Sequence, residues 1–562
     1  MSEPLTAVLV LHYGKASYTQ RCLESILHWE GAPESYSLLV IDNSETQDYS
    51  LPAEALSAGV TLVRTGKNLG YGGGMNFGIR QARRGGADLL FLLNNDVVFG
   101  QSCLAKLGGF LQENPRAGLV APLIVYDGDP ERIWATGSRI LNLRGRSHDP
   151  FHNRRVREFP SPVRVDALTG CALMVRREVF DRIGLFDENY FAYYEDVDLC
   201  RRAGLSGYDS YFFPQVTLRH AVSASSRGRP PLRRRPEYFM ARNRIYFVRK
   251  GSGRTKWLLF LLFLSLEALW YLLKNSLRLK FSRIAAFALG VHDALADDSW
   301  LVGEPVRRGI SACIITKDAG KTIERCLRSL EGAVDEIVVV DSGSGDDTLE
   351  ICHRYTDKVY RTRFEGNFAD LRNQAAAHAS GPWILALDAD EYLGEELRAE
   401  LSGLCSQEEM RYWGFFLKRI NFYRDRVIRF GFPGIDSLVR LYRKEGSFFA
   451  GKVHEKVVTQ GLAKRVSLPL YHRQRANNYT RASLESKWRN YIEIEARERE
   501  KIPPLRRLLY RCAAPLVFLL RLLRDLFLLG GILDGYRGIK IALLLACYRY
   551  RLFMRLGAKT NE

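Results

Sequence analysis

Several large classes of protein are marked by features that this 562-residue chain lacks. Its ten cysteines include no C-x-x-C pair, and their spacing fits neither a zinc site nor a disulfide framework, which points to a reducing compartment. The N-terminal segment has no basic stretch ahead of its apolar one. The apolar run from Leu5 to Leu11 is seven residues, too short for a signal sequence, and reads as a buried strand. The apolar stretch 257–273 is 17 residues long and interrupted by Glu267, which makes it a poor membrane crossing. The Gln-x-x-Arg-Trp motif of a processive synthase is absent, "ESKWRN" (485–490) being no match. Neither "LHYGKASYT" nor "TKDAGKTIE" supplies the glycine-rich basic loop that a nucleotidyltransferase places after its first strand.

What is present is a folded composition, 46% hydrophobic and 11% aromatic, in a chain long enough for two to four domains. The net charge of +19 is not spread evenly. Residues 227–256 hold eleven Lys/Arg against one acid, and residues 505–555 hold ten against two. Both stretches adjoin or overlap strongly apolar segments. Basic charge beside Leu, Phe and Trp suits an anionic membrane surface and argues against nucleic acid. In "APLVFLLRLLRDLFLL" (514–529), Arg521, Arg524 and Asp525 fall at i, i+3 and i+4. They predict one polar face on a helix lying in the membrane interface.

The chain is written twice. "RCLESI" (21–26) and "RCLRSL" (325–330) each follow a β-rich strand, "AVLVLHY" or "SACIITK", and each leads to a second strand ending in Asp, "VIDNS" or "VVVDSGS". A third strand then ends in a polar cluster, "LLNNDVVF" (92–99) in the first copy and "LALDADEYL" (385–393) in the second. Repeated strand–helix–strand units predict mostly parallel α/β sheets, whose ligands bind beyond the carboxyl ends of the strands. Asp42, Asp96, Asp341, Asp388 and Asp390 all fall at such ends. Asp42 and Asp341 suit a ribose hydroxyl or a base imino group. Asp96, Asp388 and Asp390 suit a hard divalent cation, Mg²⁺ or Mn²⁺, bridging phosphate oxygens. A nucleoside diphosphate between them accounts for both, one cation per domain.

This order resembles the GT-A glycosyltransferases of family 2, inverting enzymes that use nucleotide-diphospho-sugars. The first half is similar to the rhamnosyltransferase-like branch through "VIDNS", "GKNLGYGGGMNFGI" (66–79), "LNNDV", "TGCALMVRREVFDRIGLFDENYFAYYEDVDLCRRAGLSGY" (169–208) and "ARNRIYFVRK" (241–250). The second half is similar to lipopolysaccharide-core glycosyltransferases through "DSGSGDDT", "ADLRNQAA" (369–376), "LDADEYL", "DSLVRLYRK" (436–444), "GKVHEKV" (451–457) and "LDGYRGIKIALLLACYRY". The resemblance implies two Rossmann-like GT-A domains, 1–250 and 304–480, an apolar helical linker 251–303, and a basic amphipathic C-terminal region 481–562. It implies a bifunctional enzyme, peripheral on the cytoplasmic face of a bacterial inner membrane. Such an enzyme would extend a lipid-linked oligosaccharide or lipopolysaccharide core. The alternative is one catalytic domain beside a binding module for the acceptor.

Inversion needs a base to deprotonate the acceptor hydroxyl. In the first half the candidate is Asp196, crowded by Glu195 and Asp198 so that like charges raise its pKa, and the resemblance assigns the base to the same acid pair. Lys67, Asn68 and Gly70, in a loop whose glycines let backbone approach a ligand, join Asn94 and Asn95 as donor-binding candidates. In the second half "VHEK" stands where the acid pair would be. Glu455 is then the leading base, Asp436 its rival, and His454 a neighbour that orients it or binds phosphate. Arg372 and Asn373 serve the donor there. His220 and His472, each after a late strand at matching points of the repeat, are candidate metal ligands.

Overall fold

The computed structural model describes residues 4–28, 36–99, 103–221, 231–251, 253–296, 309–406, 411–423, 426–430, 435–451, 455–473, 488–489, 491–493, 495 and 504–558. The chain forms two compact units, Met1–Leu301 and Val302–Glu562, each built around a mixed, parallel-rich sheet.

In the first unit the strands that position the site are β1 (Thr6–His12), β2 (Tyr36–Asp42), β3 (Thr61–Arg64), β4 (Leu89–Asn94), β5 (Val97–Phe99), β6 (Ala117–Tyr126), β7 (Ala172–Arg176) and β8 (Asp209–His220). They run in the order β8-β6-β7-β4-β1-β2-β3. The four strands β3, β2, β1 and β4 are parallel. β7 is antiparallel to both neighbours, and β5 pairs with the end of β8. β1 and β4 are buried almost throughout, as expected of central parallel strands covered on both faces. Helix α1 (Ala16–Leu27) turns Cys22, Leu23 and Ile26 into that core.

Helix α2 (Gly70–Arg84) crosses the sheet close to its strands. A Cβ on Gly74 would stand 2.6 Å from Leu11 Cδ1, and Gly70, at φ +75°, would run into the Phe191 carbonyl. These glycines therefore make their close approaches to protein, where the sequence suggested a ligand. The acids put forward as the base open α3 (Glu195–Leu205), which is followed by α4 (Pro236–Gly251), α5 (Arg254–Leu277) and α6 (Phe281–Leu295). Over Thr255–Leu277, 23 residues, α5 is long and apolar enough to cross a membrane by length and composition. It nevertheless has two faces. Phe260 and Leu264 pack inward, and Glu267 pairs with Arg244 at 2.7 Å and Arg146 at 2.9 Å.

The second unit repeats the scheme with β9 (Ile310–Thr316), β10 (Glu336–Asp341), β11 (Val359–Arg361), β12 (Trp383–Asp388), β13 (Glu391–Leu393), β14 (Gly414–Tyr423), β15 (Ile435–Arg443), the hairpin β16 (Ser447–Ala450) and β17 (Lys456–Thr459), and β18 (Ala463–Arg473). The sheet order is β11-β10-β9-β12-β15-β14-β18-β13. The parallel group, the antiparallel insertion β15 and the short strand β13 paired with the last strand all recur. Helix α7 (Gly320–Leu330) follows β9, and α8 (Phe368–His378) precedes β12. Near the C-terminus, α9 (Pro504–Leu523) and α10 (Tyr536–Gly557) form a hairpin. Arg521 and Asp525, expected on an outward polar face, turn inward instead. Asp525 is fully buried between Arg521 and Arg524, while Leu516, Leu520 and Leu528 are exposed. A carboxylate flanked by two guanidiniums tolerates burial because its charge is paired.

Candidate active sites

Asp42 ends β2 and is fully buried. Its Oδ1 accepts from the Ser44 amide at 3.1 Å and the Ser44 hydroxyl at 2.6 Å. Its Oδ2 has no hydrogen-bond partner among the described residues, the nearest cation being Arg64 Nε at 3.8 Å. A buried carboxylate oxygen in that state can accept a ligand N–H or O–H. Beside it the His12 ring stacks on Tyr49 at 4.1 Å, and burial lowers the His12 pKa against the pull of Asp42 and Asp48. The Asn43 amide fixes the following loop, accepting from Leu69 N at 3.0 Å and donating to the Gly70 carbonyl at 2.9 Å. Asn68 closes the same turn on the Gly70 amide, and Lys67 is exposed there.

At the next strand end, Asp96 Oδ1 lies 3.1 Å from His220 Nε2, with both side chains largely buried. The register explains the meeting: β5 begins one residue after Asp96 and pairs Val97 with His220. His220 Nδ1 is buried without a hydrogen-bond partner among the described residues, and Trp134 packs edge-on against the ring. Two ligands about 2.1 Å from a shared octahedral cation stand about 3 Å apart, so one carboxylate and one imidazole at this spacing fit an Mg²⁺ or Mn²⁺. Among the described residues no cluster of three or more His, Cys, Asp or Glu forms a metal site. Phosphate oxygens and water suit the remaining positions of such a cation. Asn95 is buried and turned away from this pair, donating to Thr19 Oγ1 at 2.8 Å and bracing α1. Asn94 stays at the strand end.

The three acids of α3 have separate environments. Asp198 is paired with Lys250 Nζ and Arg202 Nε, both at 2.8 Å; burial would raise its pKa, and Lys250 with Arg202 outweighs that and holds it below the usual range. Among the described residues Asp196 accepts only backbone amides, from Gly170 at 2.9 Å and Val197 at 2.8 Å, and burial raises its pKa. Glu195 is buried with Oε2 unpartnered among the described residues, and burial followed by the neighbouring Asp196 pushes it well above its usual value. The crowding expected of all three acids thus reduces to Glu195 and Asp196.

The loop leading into α3 is strained: Phe191, Tyr193 and Tyr194 have φ of 60°, 68° and 77°. Left-handed backbone at non-glycine residues costs about 1–3 kcal/mol each and persists only where neighbours enforce it. Asn243 is the enforcer, its Nδ2 donating to the carbonyls of Tyr190, Ala192 and Tyr193 at 2.7–2.8 Å, with Arg242 holding Asn189 O at 2.7 Å. The "ARNRIYFVRK" stretch is therefore the clamp behind the acid loop.

In the second unit Asp341 matches Asp42, accepting from the Gly343 and Ser344 amides at 3.1 and 3.0 Å, with Arg361 at 3.9 Å. Asp390 Oδ1 lies 3.5 Å from His472 Nε2, again set by a strand pairing, Glu391 with His472. Burial lowers the His472 pKa, and Asp390 with Glu391 outweighs it, so the imidazole lies above its usual value. Its Nδ1 is 2.6 Å from Asn421 Oδ1.

Asp388 departs from expectation. Arg372 at 2.6 Å and Arg440 at 2.9 Å take one oxygen each, and against the effect of burial they hold its pKa far below the carboxylate range. A carboxylate saturated by two guanidiniums is a poor cation ligand, which leaves Asp390 and His472 as the pair. Arg372 also bonds Glu455 at 2.9 Å, and its Nη1 is buried without a partner among the described residues. Asp436, the rival base, is held bidentately by Arg419 at 2.7 and 2.9 Å. Asn373 spends both ends of its amide on the Phe449 backbone, at 2.8 and 3.0 Å, so it braces β16 rather than facing a donor. His454 lies outside the described residues. A cleft of about 490 Å³ collects Thr316, Ser342, Arg372, Asp390, Glu455 and His472.

Sequence reasoning missed Tyr491, which lines that cleft from beyond the expected domain end at residue 480. It packs edge-on to Phe368, and burial beside Glu455 and Asp388 pushes its pKa up to about 12. No local signal marks it, since its place depends on Ile492 and Trp488 packing on Tyr548 and Leu552 of α10.

A profile described as glycosyl transferase family 2 matches residues 7–184 and 311–401. The chain is 33% identical over 252 residues to N-acetylglucosaminyl-diphospho-decaprenol L-rhamnosyltransferase of Mycobacterium tuberculosis, covering 41% of this chain and 80% of that relative. It is 34% identical over 154 residues to an uncharacterized glycosyltransferase of Rickettsia felis, of which it spans about half (54%) and which covers 26% of this chain. The solved mannosyltransferase PcManGT from Pyrobaculum calidifontis, in complex with GDP-Man and Mn²⁺, aligns at 14% identity and a TM-score of 0.31, over 53% of this chain and 88% of its own. The chain belongs to glycosyl transferase family 2.

Proposed function

We propose that the chain is a bifunctional inverting GT-A glycosyltransferase whose two units each transfer a sugar from a nucleotide-diphospho-sugar to a growing lipid-linked glycan of the bacterial cell surface, a polysaccharide or lipopolysaccharide. The observation that carries this is the repetition of one arrangement. In each unit a buried Asp ends the second parallel strand, and an Asp–His pair ends the fourth. Asp42 and Asp341 take the nucleoside. Asp96 with His220, and Asp390 with His472, would hold one divalent cation each. Such a cation, when bound, neutralises the charge that develops on the departing diphosphate. Asp196 removes the acceptor proton in the first unit, its raised pKa bringing it toward useful basicity. Glu455 stands in the corresponding role in the second, fixed by Arg372.

The mycobacterial relative, whose name states a diphospho-decaprenol-linked acceptor, supports a lipid-linked acceptor here. The exposed leucines of α5 and α9, beside strongly basic stretches, support a peripheral place on the cytoplasmic face of the inner membrane. A second reading makes the Val302–Glu562 unit an acceptor-binding module. The ion pairs that occupy Asp388, Glu455 and Asp436 favour it.

Incubating the full chain with a panel of nucleotide-sugars and Mn²⁺, and following release of nucleoside diphosphate, tests the reading. Hydrolysis of at least one donor, lost in EDTA, is expected. No hydrolysis of any donor, with or without a polyprenyl-linked acceptor, would overturn it.

A further inference from the structure

We infer that the β-hairpin formed by Arg139–Leu141 and Arg146–His148 is a membrane-docking element, which lies with α5 on an anionic lipid surface and sets the base-bearing loop of the first unit beside it. This rests on the peripheral-membrane reading above.

The hairpin tip is seated between the catalytic loop and α5. The Gly145 carbonyl accepts from the Tyr194 hydroxyl at 2.9 Å, and Tyr194 is the residue that opens α3, two positions before Asp196. The Arg144 carbonyl accepts from Arg244 Nε at 2.7 Å, within the clamp helix α4. Arg146 and Arg244 share Glu267 of α5, and the Arg144 guanidinium lies 5.8 Å over the Phe263 ring of the same helix. At Gly145, φ +59°, a Cβ would collide with Val248 of α4 and approach Phe260 of α5 at 3.4 Å. The tip is therefore fixed against α5 along the Phe260–Glu267 side.

Its outward leucines stay open to solvent among the described residues. Leu141 and Leu143 are 42% and 46% exposed, among the exposed Arg139 and Arg144. Single exposed leucines are ordinary. Here they adjoin the outer stripe of α5, where Leu258, Leu262, Leu266 and Trp270 are 58–66% exposed. Leucines interleaved with arginines match a bilayer with anionic headgroups, the arginines meeting phosphate and the leucines entering the acyl boundary. Glu267, the one acid of α5, is turned inward onto Arg244 and Arg146, so it does not oppose that contact. The consequence is positional: one hydrogen bond separates the hairpin tip from the residue that opens the base helix. A lipid-linked acceptor then reaches Asp196 without leaving the membrane surface.

The test compares the full chain with its Leu141→Asp/Leu143→Asp variant on phosphatidylcholine vesicles with and without 30% phosphatidylglycerol. The variant should bind anionic vesicles about tenfold more weakly or worse, with unchanged melting temperature and unchanged donor hydrolysis in solution. In a second measurement, Leu143→Cys carries an environment-sensitive fluorophore in a background with Cys512 and Cys547 replaced by serine. Its emission should shift to the blue on anionic vesicles, and a label at Leu56→Cys should not. Equal binding by the variant with no shift at position 143 overturns the hairpin's role while leaving the membrane reading intact. Failure of the unaltered chain to bind either vesicle overturns both. Hairpin-dependent self-association without vesicle binding assigns the surface to a second copy of the chain and overturns the inference.

Discussion

His220 Nε2 stands 3.1 Å from Asp96 Oδ1, although 124 residues separate them, and the imidazole's other nitrogen is buried with no partner among the described residues. The Nε2–Oδ1 spacing is that of two ligands sharing one octahedral cation. His220→Ala should therefore raise the Mn²⁺ concentration that donor hydrolysis requires. A direct ligand should cost at least what an outer-shell partner does, about 10–100-fold in cation affinity. A variant whose Mn²⁺ titration overlays that of the unaltered chain would remove His220 from the site.

The base assignment predicts a division between rate and affinity. Asp196→Asn should lower kcat by about 10²–10⁴-fold while donor affinity holds, because a base acts only during the reaction. Burial raises the Asp196 pKa, so the acid limb of the first unit's pH profile should lie above the ordinary carboxylate value, activity falling as pH drops through it. An acid limb at the ordinary aspartate value, or a lost donor affinity with intact turnover, contradicts the assignment.

Glu195 carries a prediction about stability. Its folded pKa is raised well above that of the unfolded chain, so the native state binds the extra proton. Stability then falls as pH rises from the unfolded pKa toward the folded one. Glu195→Gln removes that ionisation and should raise the melting temperature at neutral pH, with the gain shrinking toward pH 4. A variant less stable than the unaltered chain at pH 7 and equal to it at pH 4 would reverse the argument.

Asp198, by contrast, is a structural acid. Asp198→Asn leaves Lys250 and Arg202 without their buried partner and should cost about 3–5 kcal/mol of stability. Denaturant unfolding measures it; a loss under 1 kcal/mol would mean that the network relaxes around the change.

The repeat made much of this legible. Asp42, Asp96, Asp341 and Asp390 stand where a doubled strand–helix–strand pattern places them, because strand ends can be read from apolar runs that stop at a polar residue. The histidines were legible by position in the repeat, since β-sheet register brings the last strand beside the acid cluster. Partners are what the sequence hid. Nothing in "LDADEYL" says that Arg372 and Arg440 occupy Asp388, or in "YYEDVD" that Lys250 occupies Asp198, because ion pairs across 16 to 52 residues depend on how elements pack. The glycine-rich "GYGGG" looked like a ligand cradle; α2 needs the same glycines to lie against Leu11 and Phe191. Tyr491 reaches the second cleft only through the packing of its segment on α10.

If two active sites work in turn on one glycan, mass spectrometry of the lipid-linked products will separate variants of the two units. Asp96→Ala and Asp390→Ala are each incubated with polyprenyl-diphosphate-linked acceptor, Mn²⁺ and the donors that the unaltered chain hydrolyses. Two different arrests are expected, one variant returning unmodified acceptor and the other an acceptor extended by a single sugar, with the full product restored on mixing them. Full product from Asp390→Ala alone would contradict this and leave the second unit as a binding module.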